Sequence, residues 1–208
     1  MVHNYHKPLI PNSIYHLFNR AIGEERLFIT DENYRFFLMK LKHHTNEVCK
    51  LYAYSLMPNH FYFLVKIEHE NDIIKYFEVI KKVKFDCKIH LLSDFIMERF
   101  SNFLNSYTKA FNKVYIRRGA LFLDYIKRSQ ATTNQDITTF IFYVHKNAVH
   151  HGLTNNIGTW QFDGYNALVG NSITNLLRSE VISFFGSIYN FIKFHQQPVT
   201  LKINIDDV

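Results

Sequence analysis

Cysteine, glycine and proline are scarce in this sequence, and no long uncharged apolar run is present. Cys49 and Cys87 are its only cysteines and form no CxxC pair. A disulfide scaffold and a cysteine-type zinc site are therefore not expected. The seven glycines are scattered and build neither GxGxxG nor GxxxxGKS/T, so the backbone cradle that nucleotide hydrolysis needs is missing. HExxH and GxSxG are absent too, which removes the usual routes to zinc proteolysis and serine hydrolysis. Residues Met1 to Ile10 carry His3, His6, Lys7 and Pro8 instead of an apolar signal core. The longest charge-free, largely apolar stretch, Val181 to Ile192, is too short to span a bilayer. No repeat of 20–50 residues and no low-complexity tract is visible. A soluble protein of a reducing compartment, the cytoplasm, with no membrane partner, is expected.

Aromatic residues are abundant instead. The 208 residues include 20 Phe and 13 Tyr, and 47% are hydrophobic, enough to bury one full core. That length favours one domain with an appendage. Lys plus Arg number 24 against 18 Asp plus Glu, a net charge of +6, which suits a polyanionic partner.

Strand and helix signals alternate in the first half. Ser13 to Asn19, following Pro11, reads as a strand. Thr30 or Asp31 opens a helix to about residue 46, with Tyr34, Phe37, Leu38 and Leu41 at helical spacing. Cys49–Met57 and His60–Ile67, joined by Pro58-Asn59, read as an antiparallel hairpin. Residues 71 to 117 are mostly helical, with a break near Ser93-Asp94, either of which can cap the second helix. Gly119 looks like its C-terminal signal, and Ala120 to Ile126 like a short strand. Asn134 or Asp136 opens another helix that ends near Gly152. A loop from Thr154 to Asn171 leads to a last helical region, Ser179 to His195, and the tail after Pro198 is expected to be loosely held. The β-α-β-β-α order with a helical insertion predicts an α+β fold: a ferredoxin-like antiparallel sheet flanked by helices, with a C-terminal helix.

Several residues stand out chemically. Between Tyr107 and Arg128 lie Lys109, Lys113, Arg117, Arg118, Lys127 and Arg128 with Asp124 the one acid, so most of the net charge sits there. Such a segment is either a solvated basic surface or a grip on phosphates, with Tyr115 and Tyr125 able to stack on bases. His60 and Tyr62 occupy i and i+2 of a strand and share a face. His60 is a metal-ligand candidate or a structural histidine, and Tyr62 offers a phenol, a weak ligand unless the metal lowers its pKa. Tyr143 and Asn147 share a helix face at i and i+4, with Tyr143 either a core-edge residue or a reactive phenol. In His43-His44 and His150-His151 adjacent side chains on a helix diverge by ~100°, so these pairs read as solvated rather than as metal traps.

Taken together, Tyr15–Arg20, Ser55–Val65, Arg118–Phe122 and Phe142–Gly152, with Trp160–Ala167 as a weaker fifth block, resemble the single-tyrosine HUH transposases, in the branch of the REP-associated tyrosine transposases. The match runs from about residue 13 to 170. It implies an N-terminal extension (1–12), a catalytic domain (13–170), a C-terminal helical appendage (171–197) and a tail (198–208). It further implies that Tyr143 is the nucleophile that forms a 5′-phosphotyrosine link to DNA, so that strands are rejoined without ATP. His60 and Asn147 would be ligands of a divalent ion, Mg²⁺ or Mn²⁺. The DNA would be single-stranded or a hairpin, gripped by the Lys109–Arg128 segment, with a homodimer as a candidate assembly. Two departures from the family pattern are visible. Tyr62 stands where the pattern has a second histidine, and Ala148 where proline usually follows the asparagine. The first leaves two readings: phosphate oxygens and waters fill the missing position, or the chain binds DNA without cutting it.

Overall fold

The computed structural model describes residues 7–123 and 125–197; the tail 198–208, the start of the N-terminal extension and Asp124 lie outside them. Four strands, β1 (Ile14–Arg20), β2 (Cys49–Met57), β3 (His60–Ile67) and β4 (Lys127–Ala131), form one sheet in the order β2-β3-β1-β4. Every pairing is antiparallel. Because β1 and β2 both run opposite to β3, helix α1 (Asp31–Thr45) is a crossover between parallel strands. The region of α2 (Glu70–Lys81) and α3 (Leu92–Val114) is a second crossover, from β3 to β4. This is the ferredoxin-like order. The helices expected as an insertion are thus an integral crossover, and the fold is α+β as expected.

Alternation along β3 divides the molecule. Phe61, Phe63, Val65 and Ile67 join the core formed with α1, α2 and α3, whereas Tyr62 and Leu64 join the core under α4 (Asn134–His150). With both sheet faces covered, β3 is buried at nearly every position, and its sequence is accordingly an almost unbroken apolar and aromatic run.

The start of α4 is set by a capping box. Asp136 N–H donates to Thr133 Oγ1 at 3.0 Å, while Asp136 Oδ2 accepts from the Thr133 N–H at 2.9 Å. Thr30 is the corresponding cap of α1. Ser93 and Asp94, by contrast, fall inside the first turn of α3, which begins after Leu91 with no side-chain cap. That helix ends at Val114, and the left-handed residue that follows is Ile116 (φ 51°), with Gly119 (φ 89°) further out in the loop.

The strand expected over 120–126 is displaced. Residues 121–123 make scattered backbone bonds to the exit of β1, including an isolated bridge between Ala21 and Phe122. The regular ladder starts at Lys127. The C-terminal helical region is also two helices, α6 (Arg178–Ser183) and α7 (Ile188–His195), separated at Gly186 (φ 77°). A short helix, α5 (Tyr165–Val169), lies within the 154–171 loop. Just before it, the Leu56 N–H donates to Phe162 O and the Gly164 N–H to Tyr54 O, both at 2.9 Å, which lays this segment along the edge of β2. Val181, Phe185 and Phe191 pack into the core under α4. A buried pair locks this contact: His195 Nδ1–H donates to Phe191 O at 2.8 Å, so its Nε2 accepts from His145 Nδ1–H of α4 at 3.0 Å.

Candidate active site and basic cleft

Strand register builds the site row by row on the sheet face beneath α4. Asp163 pairs with Ser55, Ser55 with Tyr62, Tyr62 with Phe18 and Phe18 with Lys127. The next row holds Met57, His60 and Arg20. Directly paired residues point to the same face. Helix α4 lies over these rows, with Tyr143 and Asn147 one turn apart on its inner side.

Polar atoms in this layer are buried without partners. His16 Nε2, Ser55 Oγ, His60 Nε2, the Tyr62 and Tyr143 hydroxyls, both amide atoms of Asn147 and Asp163 Oδ2 all lack one. They make up eight of the twelve such side-chain atoms among the described residues. A core that only had to be stable would satisfy these groups or replace them. Their concentration in one layer marks a polar site.

Ring contacts connect its members. The centroid of Tyr62 lies 5.4 Å from His60 and 5.7 Å from Tyr143, both edge-on. His16 lies 5.6 Å from Tyr62, stacked, and 5.6 Å from Tyr143, edge-on. Tyr62 therefore sits between the two residues that the resemblance pairs as metal ligand and nucleophile. Burial holds its phenol up at about 12. Burial and the neighbouring Tyr62 hydroxyl raise Tyr143 further still, with the Asn147 amide acting in the opposite direction. The two hydroxyls face each other without the geometry of a hydrogen bond. His60 Nδ1–H donates to Asn59 Oδ1 at 2.6 Å, which leaves the Nε2 lone pair free. Burial first, then His151 and Arg20, push the pKa of His60 down to about 3, so the ring is neutral.

An open cleft of about 610 Å³ adjoins this layer. Arg20, Arg26, His60, Tyr62, His150 and His151 line it, and Glu24 is the one carboxylate on its wall. Tyr143 and Asn147 are not part of the wall: they are 6% and 0% exposed, covered on the sheet side by Tyr62. The sequence reading of His150-His151 as merely solvated misses one contact. His151 follows the last residue of α4 as its cap, and its ring centroid lies 4.5 Å from that of His60.

The basic segment does not form one surface. Period-2 alternation turns Lys127 toward Phe18, its Nζ 5.9 Å from that ring centroid, and turns Arg128 to the opposite face. There Arg128 is 9% exposed with a guanidinium nitrogen 2.6 Å from Met97 Sδ. Arg117 is committed to protein partners, donating to Glu25 Oε1 at 2.9 Å, to Asn112 Oδ1 at 3.1 Å and to Ala120 O at 2.7 Å. Lys109, Lys113 and Arg118 are exposed, but α3 packs on the sheet face away from α4. Expecting all six together treated a helix, a loop and two faces of a strand as neighbours. The arginines on the cleft wall are Arg20 and Arg26, which sequence reasoning did not single out: the register with His60 brings Arg20 there, and the loop after β1 brings Arg26.

Among the described residues no three His, Cys, Asp or Glu side chains converge as a metal cage, and no helix is long and apolar enough to cross a membrane. No protein-family model and no curated protein matches the chain. Among solved structures it is similar to a REP-associated tyrosine transposase bound to a REP hairpin. The TM-score is 0.58 at 13% identity, over 84% of this chain and 95% of that one. At that identity the likeness shows a shared fold.

Proposed function

We propose that the chain is a transposase-like protein that binds hairpin or single-stranded DNA and cleaves and rejoins it through Tyr143, with a divalent metal, Mg²⁺ or Mn²⁺. The observation that carries this reading is the layer of buried, unpartnered polar atoms between α4 and the sheet, beside a cleft lined by arginine and histidine. The shared fold with a hairpin-bound transposase supports the choice of DNA.

The donor atoms fit such a metal: His60 presents a neutral nitrogen and Asn147 an amide oxygen, both buried and unpartnered. Bound there, the ion supplies Lewis-acid stabilisation of charge on the phosphate and the departing oxygen. Arg20 and Arg26 neutralise backbone phosphates along the cleft and draw the strand toward His60. Tyr143 then provides the nucleophile. Its phenolic oxygen bonds to phosphorus, the bond from phosphorus to the 3′-oxygen breaks, the phenol proton leaves to water and the 3′-oxygen takes one up. Asn147, one turn along the same helix face, favours the ionised phenol, while burial disfavours it, so the rate rises with pH through the alkaline range. The phosphotyrosine retains the energy of the broken ester, and the reverse step reseals the strand.

Labelled hairpin oligonucleotides mixed with the protein and Mn²⁺ are expected to yield a covalent adduct that Tyr143→Phe abolishes. No adduct on hairpins that bind tightly overturns the catalytic reading. A second reading, DNA binding without cleavage, is favoured by one observation: Tyr62 separates the cleft from Tyr143. On that reading Tyr62→His, a smaller side chain with an imidazole donor, creates adduct formation that the unchanged protein lacks.

A further inference from the structure

We infer that His151 supplies the second imidazole of the metal site, in place of the residue at position 62. The inference rests on the metal reading above and assigns that site a ligand set of its own: His60, His151 and Asn147.

Ring geometry is the first support. The His60 and His151 centroids are 4.5 Å apart with an interplanar angle of 63°. An ion held ~2.1 Å from a ring nitrogen lies ~3.2 Å from that ring's centroid, so two imidazoles at a right angle around one ion have centroids ~4.6 Å apart. The second support is donor availability. Asn59 fixes the tautomer of His60 so that Nε2 carries the lone pair, and that atom is buried without a partner. The amide oxygen of Asn147 is buried without a partner as well.

Helix geometry is the third. Asn147 and His151 are four residues apart, and the His151 N–H donates to Asn147 O at 2.9 Å, so the two sit one above the other at the end of α4. That end carries the negative pole of a 17-residue helix, which favours a cation. His151 also lines the open cleft beside His60, where an ion and a DNA phosphate can both enter. Tyr62 brings only a neutral phenol, and its ring is turned edge-on to Tyr143.

The ligand set has a consequence for metal choice. One imidazole with oxygen donors suits Mg²⁺, whereas two imidazoles and an amide oxygen favour Mn²⁺ and Co²⁺. Calorimetry on the full chain without DNA, titrating Mn²⁺ and then Mg²⁺, is expected to show tighter Mn²⁺ binding. His151→Ala weakens Mn²⁺ binding at least ~10-fold, if losing a ligand costs no less than losing the partner that orients one. Tyr62→Phe, which removes only the phenol oxygen, does not weaken it. Electron spin-echo spectra of the Mn²⁺-loaded protein are expected to show two coordinated imidazole nitrogens, falling to one in His151→Ala. Mn²⁺ binding that survives His151→Ala but is lost in His60→Ala overturns the inference and leaves the metal reading standing. No Mn²⁺ binding by the unchanged protein overturns both.

Discussion

The two faces of the sheet are built from the same strands and yet follow opposite rules. On the face under α1 and α3, Phe37 meets Phe61, Phe63, Phe103, Tyr107 and Phe122 at centroid distances from 4.7 to 6.2 Å. On the face under α4, the intervening residues of the same strands place His16, His60 and Tyr62, and α4 adds Tyr143 and Asn147, all with polar atoms that have no partner. The first face is packed throughout by apolar rings, whereas the second mixes its apolar core with unsatisfied polar groups, which the proposed function explains as a place for a ligand. A one-residue slip of β3 would exchange them.

The largest effect expected from this contrast is on stability. Phe37→Ala removes the ring at the centre of the aromatic face, and urea unfolding should show a loss of ~3–5 kcal/mol. Tyr143→Phe, on the other face, removes a buried hydroxyl that has no partner and is expected to change stability by less than ~1 kcal/mol. Equal losses would remove the distinction between the faces.

Next in size is a pH effect centred on the α4 side. Burial holds His16 and His60 down at about 3, His195 at about 4 and His145 well below its ordinary range. The folded state keeps these rings neutral while the unfolded chain protonates them near pH ~6.5. Their contribution is therefore whole above that pH and is lost as pH falls toward 4 and below. Each proton taken up on unfolding steepens the loss by ~1.4 kcal/mol per pH unit. Asp163 works in the other direction, because burial raises its carboxyl to about 7. It stays protonated in the folded state and costs stability as pH rises from the ordinary carboxylate range to 7. One carboxyl against four histidines leaves acid lability as the net result, seen as a falling Tm between pH 6.5 and 4. A flat Tm over that range contradicts the burial of the four rings.

The smallest effect concerns DNA affinity. Replacing Arg20 and Arg26 together by Ala should lower the slope of log K against log salt by ~1.4–1.8, the share of two phosphate contacts. The same change at Lys109 and Lys113, on the α3 side, should alter it less. The reverse ranking would return the DNA to the basic helix.

The parts of this division that the sequence makes legible are local ones. Proline and asparagine mark the β2–β3 turn, the spacing of Tyr34, Phe37 and Leu41 marks α1, and Asn134 or Asp136 marks the start of α4, just inside the Thr133 cap that the structure shows. Strand β4 was not legible, because Lys127-Arg-Ser-Gln-Ala131 has little strand character and is placed by pairing with β1. The site residues split in the same way. Tyr143, Asn147 and His60 stand in short patterns. His16 and Arg20 enter through the register of β1 on β3, and His151 through the way α4 ends, neither of which is a property of neighbouring residues in the chain. The basic cluster misled for the same reason, since closeness in sequence says nothing about which side of a strand a guanidinium takes.

Catalysis through Tyr143 is tested most directly by where DNA becomes attached. After reaction with a hairpin and Mn²⁺, trypsin releases a peptide from Ser129 to Lys146 in which Tyr143 is the one tyrosine. Mass spectrometry is expected to find the nucleotide on that peptide. Attachment to the Leu51–Lys66 peptide that carries Tyr62, or to no tyrosine on a hairpin that binds, contradicts it.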